Sequence, residues 1–330
     1  MDEFNQGQNQ LEPEKPEENS NTPEPYSPFP IISPIAAAFI GLIGGFILYQ
    51  FLGGLLTLLI FGFDLEAAPV NGLRLMTIFG QILFIMLPAL LFSKWIYGDI
   101  SKIISIKLPN WRELSLFVLG IIILTPLLQS YLYIQNYFIE QLAASSEFIY
   151  SIKTLLDSLN ELIEKTFGNL IRAENIPEML LVIITISIVP AITEEVMFRG
   201  YIQRSFEFKL KPYWAALITA IFFAAYHFNP YGIIPLAALG FYFGFAAYSS
   251  KSLVIPMMLH FLNNFFAVIL FFIIGDDELI SSDVSDAASL NINIQYFFIM
   301  LFLFIVLIYF IRNYYKKNKI NPGGNNASLS

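Results

Sequence analysis

Apolar residues fall along the chain in long blocks that contain scarcely a charge, separated by short polar connections. Eight such runs, near 32–61, 73–97, 113–135, 176–203, 212–228, 231–249, 252–275 and 292–313, each supply roughly the 20 residues that a helix needs to cross a bilayer. Only a helix satisfies its own backbone hydrogen bonds inside hydrocarbon, so the pattern predicts an all-α polytopic membrane bundle of about eight transmembrane helices. Gly41 and Gly45 in the first run, and Gly240 and Gly244 in the sixth, have the small-xxx-small spacing that lets helices approach closely.

The interval 136–175 is different. Ile149, Ile152, Leu156, Leu159, Ile163, Phe167 and Leu170 recur there at helical spacing among polar residues. This predicts an amphipathic helix on the membrane surface or against the bundle, with a lid over a site as the sharper alternative. Asn175, Pro177 and Glu178 then read as the cap, early proline and N3 acid that start the fourth span.

Composition agrees with a membrane protein: 56% of the 330 residues are hydrophobic, 13% are charged, and mean hydropathy is +0.63. Much of the net charge of −8 comes from residues 1–30, which carry seven acids and one lysine in a setting rich in Pro, Asn and Gln. That segment is expected to be a disordered cytoplasmic tail, with a membrane-embedded domain over 31–315 and a short cytoplasmic tail over 316–330. It lacks the features of a cleaved signal peptide, so the first helix is expected to remain. No basic patch supports nucleic-acid binding, and the absence of cysteine excludes disulfides, thiolate metal sites and a cysteine nucleophile.

Orientation follows from four positive clusters: Lys94, Lys102, Lys107 and Arg112; Arg204, Lys209 and Lys211; Lys251; and Arg312, Lys316, Lys317 and Lys319. An eight-helix count places all of them on one side and the acidic 276–290 loop on the other. By the positive-inside rule both termini are cytoplasmic.

Within the hydrophobic runs, ionisable groups concentrate at Glu194, Glu195 and Arg199. A charge at mid-membrane costs roughly 2.5–3.5 kcal/mol on insertion scales, so such groups are kept when they pair, line a wet cavity or function. Glu195 and Arg199 are four apart and share a helix face, which reads as an ion-paired scaffold. Glu194 points about 100° away and reads as the free carboxylate. Pro190 leaves the Ile186 carbonyl without its helical donor, so the helix is expected to bend just before Glu194.

The chain has two histidines, His227 and His260, in separate later runs. Counted from the nearest cytoplasmic base at 1.5 Å per residue, Glu194, His260 and Asn264 lie roughly 13–20 Å deep, while His227 comes out near ~24 Å and must shift to join them. Phe223 with His227, and His260 with Asn264, share faces by i,i+4 spacing. One carboxylate, two imidazoles and a carboxamide suit hydrolysis: a carboxylate and a histidine orient and deprotonate water, and His and Asn donors stabilise an oxyanion.

Glu194-Glu195-x-x-x-Arg199, Phe223-x-x-x-His227 and His260-x-x-x-Asn264, in this order over 176–275, resemble the CPBP family of CAAX proteases and bacteriocin-processing (Abi) membrane proteins. The resemblance implies an intramembrane endopeptidase related to the Ras-converting CAAX prenyl endopeptidase. Carried over, Glu194 and His227 activate water, His260 and Asn264 hold the oxyanion, and Glu195, Arg199 and Phe223 support the fold. It implies no required cofactor, a peptide or protein substrate entering from the membrane or cytoplasmic side, and a place in a bacterial inner membrane. Nothing in the chain indicates a prenylated substrate.

Three alternatives stay open at this point. Zinc held by Glu194, His227 and His260 would make a metalloprotease of the same residues, although no HExxH helix supplies the usual ligands. A proton-coupled transporter would use the same groups as a relay, although no internal repeat is visible. A non-catalytic immunity or scaffold protein would keep the cluster for packing alone.

Overall fold

The computed structural model describes residues 30–65, 67–274 and 287–320, and the regular structure there is helical. The acidic tail at 1–30 therefore lies outside the described residues but for Pro30, as does the 276–290 loop up to residue 286. Helix α1 (Pro34–Phe61) starts at the Ser33 cap, whose hydroxyl accepts from the Ala36 N–H, and ends at Gly62, whose φ of +84° suits glycine. Helix α2 (Val70–Tyr97) stops at Gly98 in the same way, at φ +75°. Then follow α3 (Trp111–Ser145), α4 (Glu147–Ile171), α5 (Ile176–Glu207), α6 (Pro212–Tyr226), α7 (Ile233–Ser250), α8 (Val254–Ile274) and α9 (Ala287–Ile320).

Seven of these helices are long and apolar enough to cross a membrane. The eighth expected span, α6, has 15 residues. It rises about 22 Å, short of the ~30 Å hydrocarbon core. Its early end has a local cause. The N–H groups of His227 and Phe228 turn back to Ala224 and Ala225, Phe228 takes a positive φ of 52°, and the Asn229 side chain accepts from the Gly232 N–H. α3, by contrast, runs ten residues past its expected end, and α9 continues to Ile320.

Helix α4 occupies 147–171 of the 136–175 interval, whose first ten residues belong to α3, and its packing differs from the predicted stripe. Ile149, Leu156, Ile163 and Leu170 are half-buried while Ile152 and Leu159 are exposed; the Phe167 side chain is outside the description. The reason is that polar groups anchor the helix. Lys153 bridges Glu140 at 2.9 Å and Asp157 at 2.8 Å, and Tyr231 donates to Asp157. Burial pushes the Asp157 carboxyl up, yet the bonds from Lys153 and Tyr231 outweigh it and hold the group below its ordinary range. At its other end α4 is fastened by the buried Arg74 of α2, which donates to the carbonyls of Leu170 and Arg172 and so caps the helix terminus.

Three apolar clusters form the interior. One joins α1, α2, α5 and α6, a second joins α3, α7, α8 and α9, and a small third gathers Ile171, Val182, Ile186 and Val268. The glycine pairs mark the tight crossings: a Cβ on Gly41 would strike Tyr201 of α5, and one on Gly240 would strike Phe223 of α6. The polar groups of α5 and α8 sit where the clusters meet.

Candidate active site

The backbone of α5 is irregular on both sides of its carboxylates. Pro190 has no N–H, and the turns before it widen into a π-helical stretch, Ile183–Ile188, in which the Val189 N–H reaches back to Ile184. A second wide stretch, Val196–Ile202, follows. The Ile186 carbonyl that Pro190 was expected to strand accepts from Asn264 Nδ2 at 2.9 Å. One N–H of the Asn264 amide is thus spent on holding α8 against the bend in α5, and the other is left for a further acceptor.

Glu195 is the hub. Its Oε1 accepts from Arg199 at 2.8 Å and meets His260 Nδ1 at 2.9 Å, and the three residues are 0%, 1% and 3% exposed respectively. Arg199 donates its other nitrogen to the Gly240 carbonyl of α7 at 3.0 Å. The spacing-based expectation covered Glu195 and Arg199; the contact to His260 is an addition that sequence spacing could not supply. A carboxylate accepts only, so Nδ1 of His260 carries the hydrogen and Nε2 is the nitrogen left for chemistry.

Phe223 packs these groups together. Its ring lies 4.4 Å from the Arg199 guanidinium carbon, 4.7 Å from the His227 ring and 5.9 Å from the His260 ring, while Phe243 stacks on His260 at 5.4 Å. The cation thus rests on aromatic faces in place of water.

Glu194 is held differently. Its Oε1 accepts from Gln81 Nε2 at 3.1 Å, and Gln81 in turn accepts from the Thr193 hydroxyl. Its Oε2 is buried without a hydrogen-bond partner among the described residues. Gln81 was missed by sequence reasoning. Its signal was present, since it is the lone carboxamide in the apolar stretch 75–92 of α2, where a polar group at membrane depth calls for a reason.

His227 closes the constellation from the α6–α7 turn. Its Nδ1 lies 2.8 Å from the Phe223 carbonyl, which makes Nδ1 the donor and Nε2 the lone-pair nitrogen. Because α6 is short, His227 sits on the turn at its end instead of deep in a full span. The rise along α6 is still about 22 Å, and His227 borders the same space as the others because the cavity reaches up to the turn.

A cavity of about 390 Å³ is lined by Glu194, His227, His260 and Asn264 together with Gln81 and Tyr49. All four candidate residues therefore border one space, while Glu195 and Arg199 lie behind it. Among the described residues no three His, Asp or Glu side chains converge as a metal ligand set.

No curated protein and no solved structure matches the chain. A family model described as type II CAAX prenyl endopeptidase Rce1-like matches residues 176–266, the stretch that holds all three motifs. Over that stretch the chain is similar to CAAX-type membrane endopeptidases, which supports a protease assignment.

Proposed function

We propose that the protein is an intramembrane endopeptidase in which Glu194 is the general base. The observation that carries this is the asymmetric setting of its carboxylate: Oε1 is fixed by Gln81, and Oε2 is unpartnered at a cavity that His227, His260 and Asn264 also line. A water held between Glu194 and Nε2 of His227 attacks the scissile carbonyl and gives its proton to the carboxylate. The C–N bond then breaks as that proton passes to the leaving amine.

The developing oxyanion needs donors, and the network restricts which are ready. Asn264 has its second N–H. His260 donates from Nε2 only as imidazolium, since Glu195 already holds Nδ1–H.

Two outcomes test the reading. Purified protein is expected to cleave a membrane-inserted peptide and to keep cleaving after exhaustive chelation. Loss on chelation with recovery on added zinc would replace the base by a ligand set of Glu194, His227 and His260. Gln81→Leu is expected to lower kcat by about 10–100-fold, the usual cost of losing a partner that orients an active-site group, with KM little changed. Thr193 keeps its bond to the Val189 carbonyl in that variant, so a large loss of melting temperature would assign Gln81 to packing instead.

A further inference from the structure

His227 is held differently from its partners. Glu195 and His260 are buried, whereas His227 is exposed and rests on Phe223 where α6 has already ended. Packing alone does not fix its ring, so its position depends on the course of the 226–232 turn. That turn is not relaxed: Phe228 has a φ of 52°, a left-handed conformation that a non-glycine residue keeps where its surroundings enforce it.

Carboxamides from two other helices hold the turn on either side of His227 in the chain. Gln50 of α1 donates to the Tyr226 carbonyl at 3.2 Å, and Gln135 of α3 donates to the Tyr231 carbonyl at 3.0 Å. The Tyr226 hydroxyl donates to the Leu42 carbonyl of α1. The Tyr231 hydroxyl reaches α4, where it donates to Asp157. A carboxylate acceptor makes that bond stronger than one between neutral groups.

Asp157 is in turn held by Lys153 at 2.8 Å, and Lys153 bridges to Glu140 of α3 at 2.9 Å. These ion pairs are part-exposed and add little stability by themselves. What they fix is the direction from which Asp157 meets Tyr231. The series Glu140, Lys153, Asp157, Tyr231 thus runs from α3 across α4 into the turn. None of these residues lines the catalytic cavity, so an effect on the reaction has to pass through His227.

Resting on the protease reading above, we propose that Asp157 and Tyr231 form a latch that sets the position of His227, which makes both of them positioning residues for water activation and gives α4 a part in the reaction.

Tyr231→Phe deletes one hydroxyl and keeps the ring. It is expected to lower kcat by about 10–100-fold, the scale set by misplacing a reacting group by roughly 1 Å, with KM and melting temperature near those of the parent. Asp157→Leu is expected to reproduce the loss and the double variant to add nothing to it, since both break one bond. Asp157→Asn, whose amide oxygen still accepts from Tyr231, is expected to restore most of it. The chain has two histidines, so isotope-labelled histidine gives two sets of ring signals by NMR in detergent, assigned with His227→Gln. In Tyr231→Phe and Asp157→Leu the His227 set is expected to shift or broaden while the His260 set stays. Parental kcat, or an unmoved His227 set, overturns the latch. A fall in melting temperature with both sets displaced and no recovery in Asp157→Asn assigns the pair to packing and overturns it as well. A parent chain that cleaves no membrane peptide overturns the hydrolytic reading and the catalytic role with it, while the two histidine sets still decide whether the latch holds His227.

Discussion

Glu194→Gln is expected to fold and melt like the parent while its turnover falls by about 10²–10⁴, the usual worth of a general base. The amide keeps the size of the side chain, and its oxygen still accepts from Gln81. What it loses is the ability to take a proton at Oε2, the atom that no described residue engages. The check pairs a melting curve in detergent with single-turnover cleavage of a membrane peptide. An active Glu194→Gln, or one that melts far below the parent, would remove Glu194 from the role of base. A stable and inactive variant would also exclude a purely scaffolding cluster, which has no turnover to lose.

Glu195→Gln is expected to fail in the opposite order. The substitution leaves Arg199 as an uncompensated charge in a site with 0% and 1% exposure, and breaking a buried pair in this way typically costs about 3–5 kcal/mol. Low yield and a depressed melting temperature should come first. Activity should also fall in whatever protein does fold, because the same oxygen positions His260. A Glu195→Gln protein as stable as the parent would show that the cation over Phe223 is held by the rings and the Gly240 carbonyl alone.

The two glutamates are adjacent in the chain, so their contrast is a direct reading of helix geometry. Residue spacing separated them, since i,i+4 placed Glu195 with Arg199 and a 100° turn placed Glu194 elsewhere. The Pro190 effect was equally legible, because a missing N–H is a covalent property of the residue. Its partner was not: nothing in the order of residues says that Asn264, 78 positions later, donates to the Ile186 carbonyl.

What the sequence by itself determined is what local chemistry controls. Runs of apolar residues set the helices of the bundle, with boundaries moved by caps and glycines at Ser33, Gly62, Gly98 and Asn175. Three short motifs carried the residues that line the candidate cavity. Only the tertiary structure decided which groups meet across helices: Glu195 with His260, Gln81 with Glu194, Arg74 with the end of α4, and His227 on a turn that stops short of a full span. The physical reason is that such contacts depend on how far each helix slides and rotates against its neighbours. Those offsets are set by side chains meeting from distant parts of the chain, as where Gly240 admits Phe223 and the Arg199 guanidinium beneath it, and no periodicity within one segment encodes them.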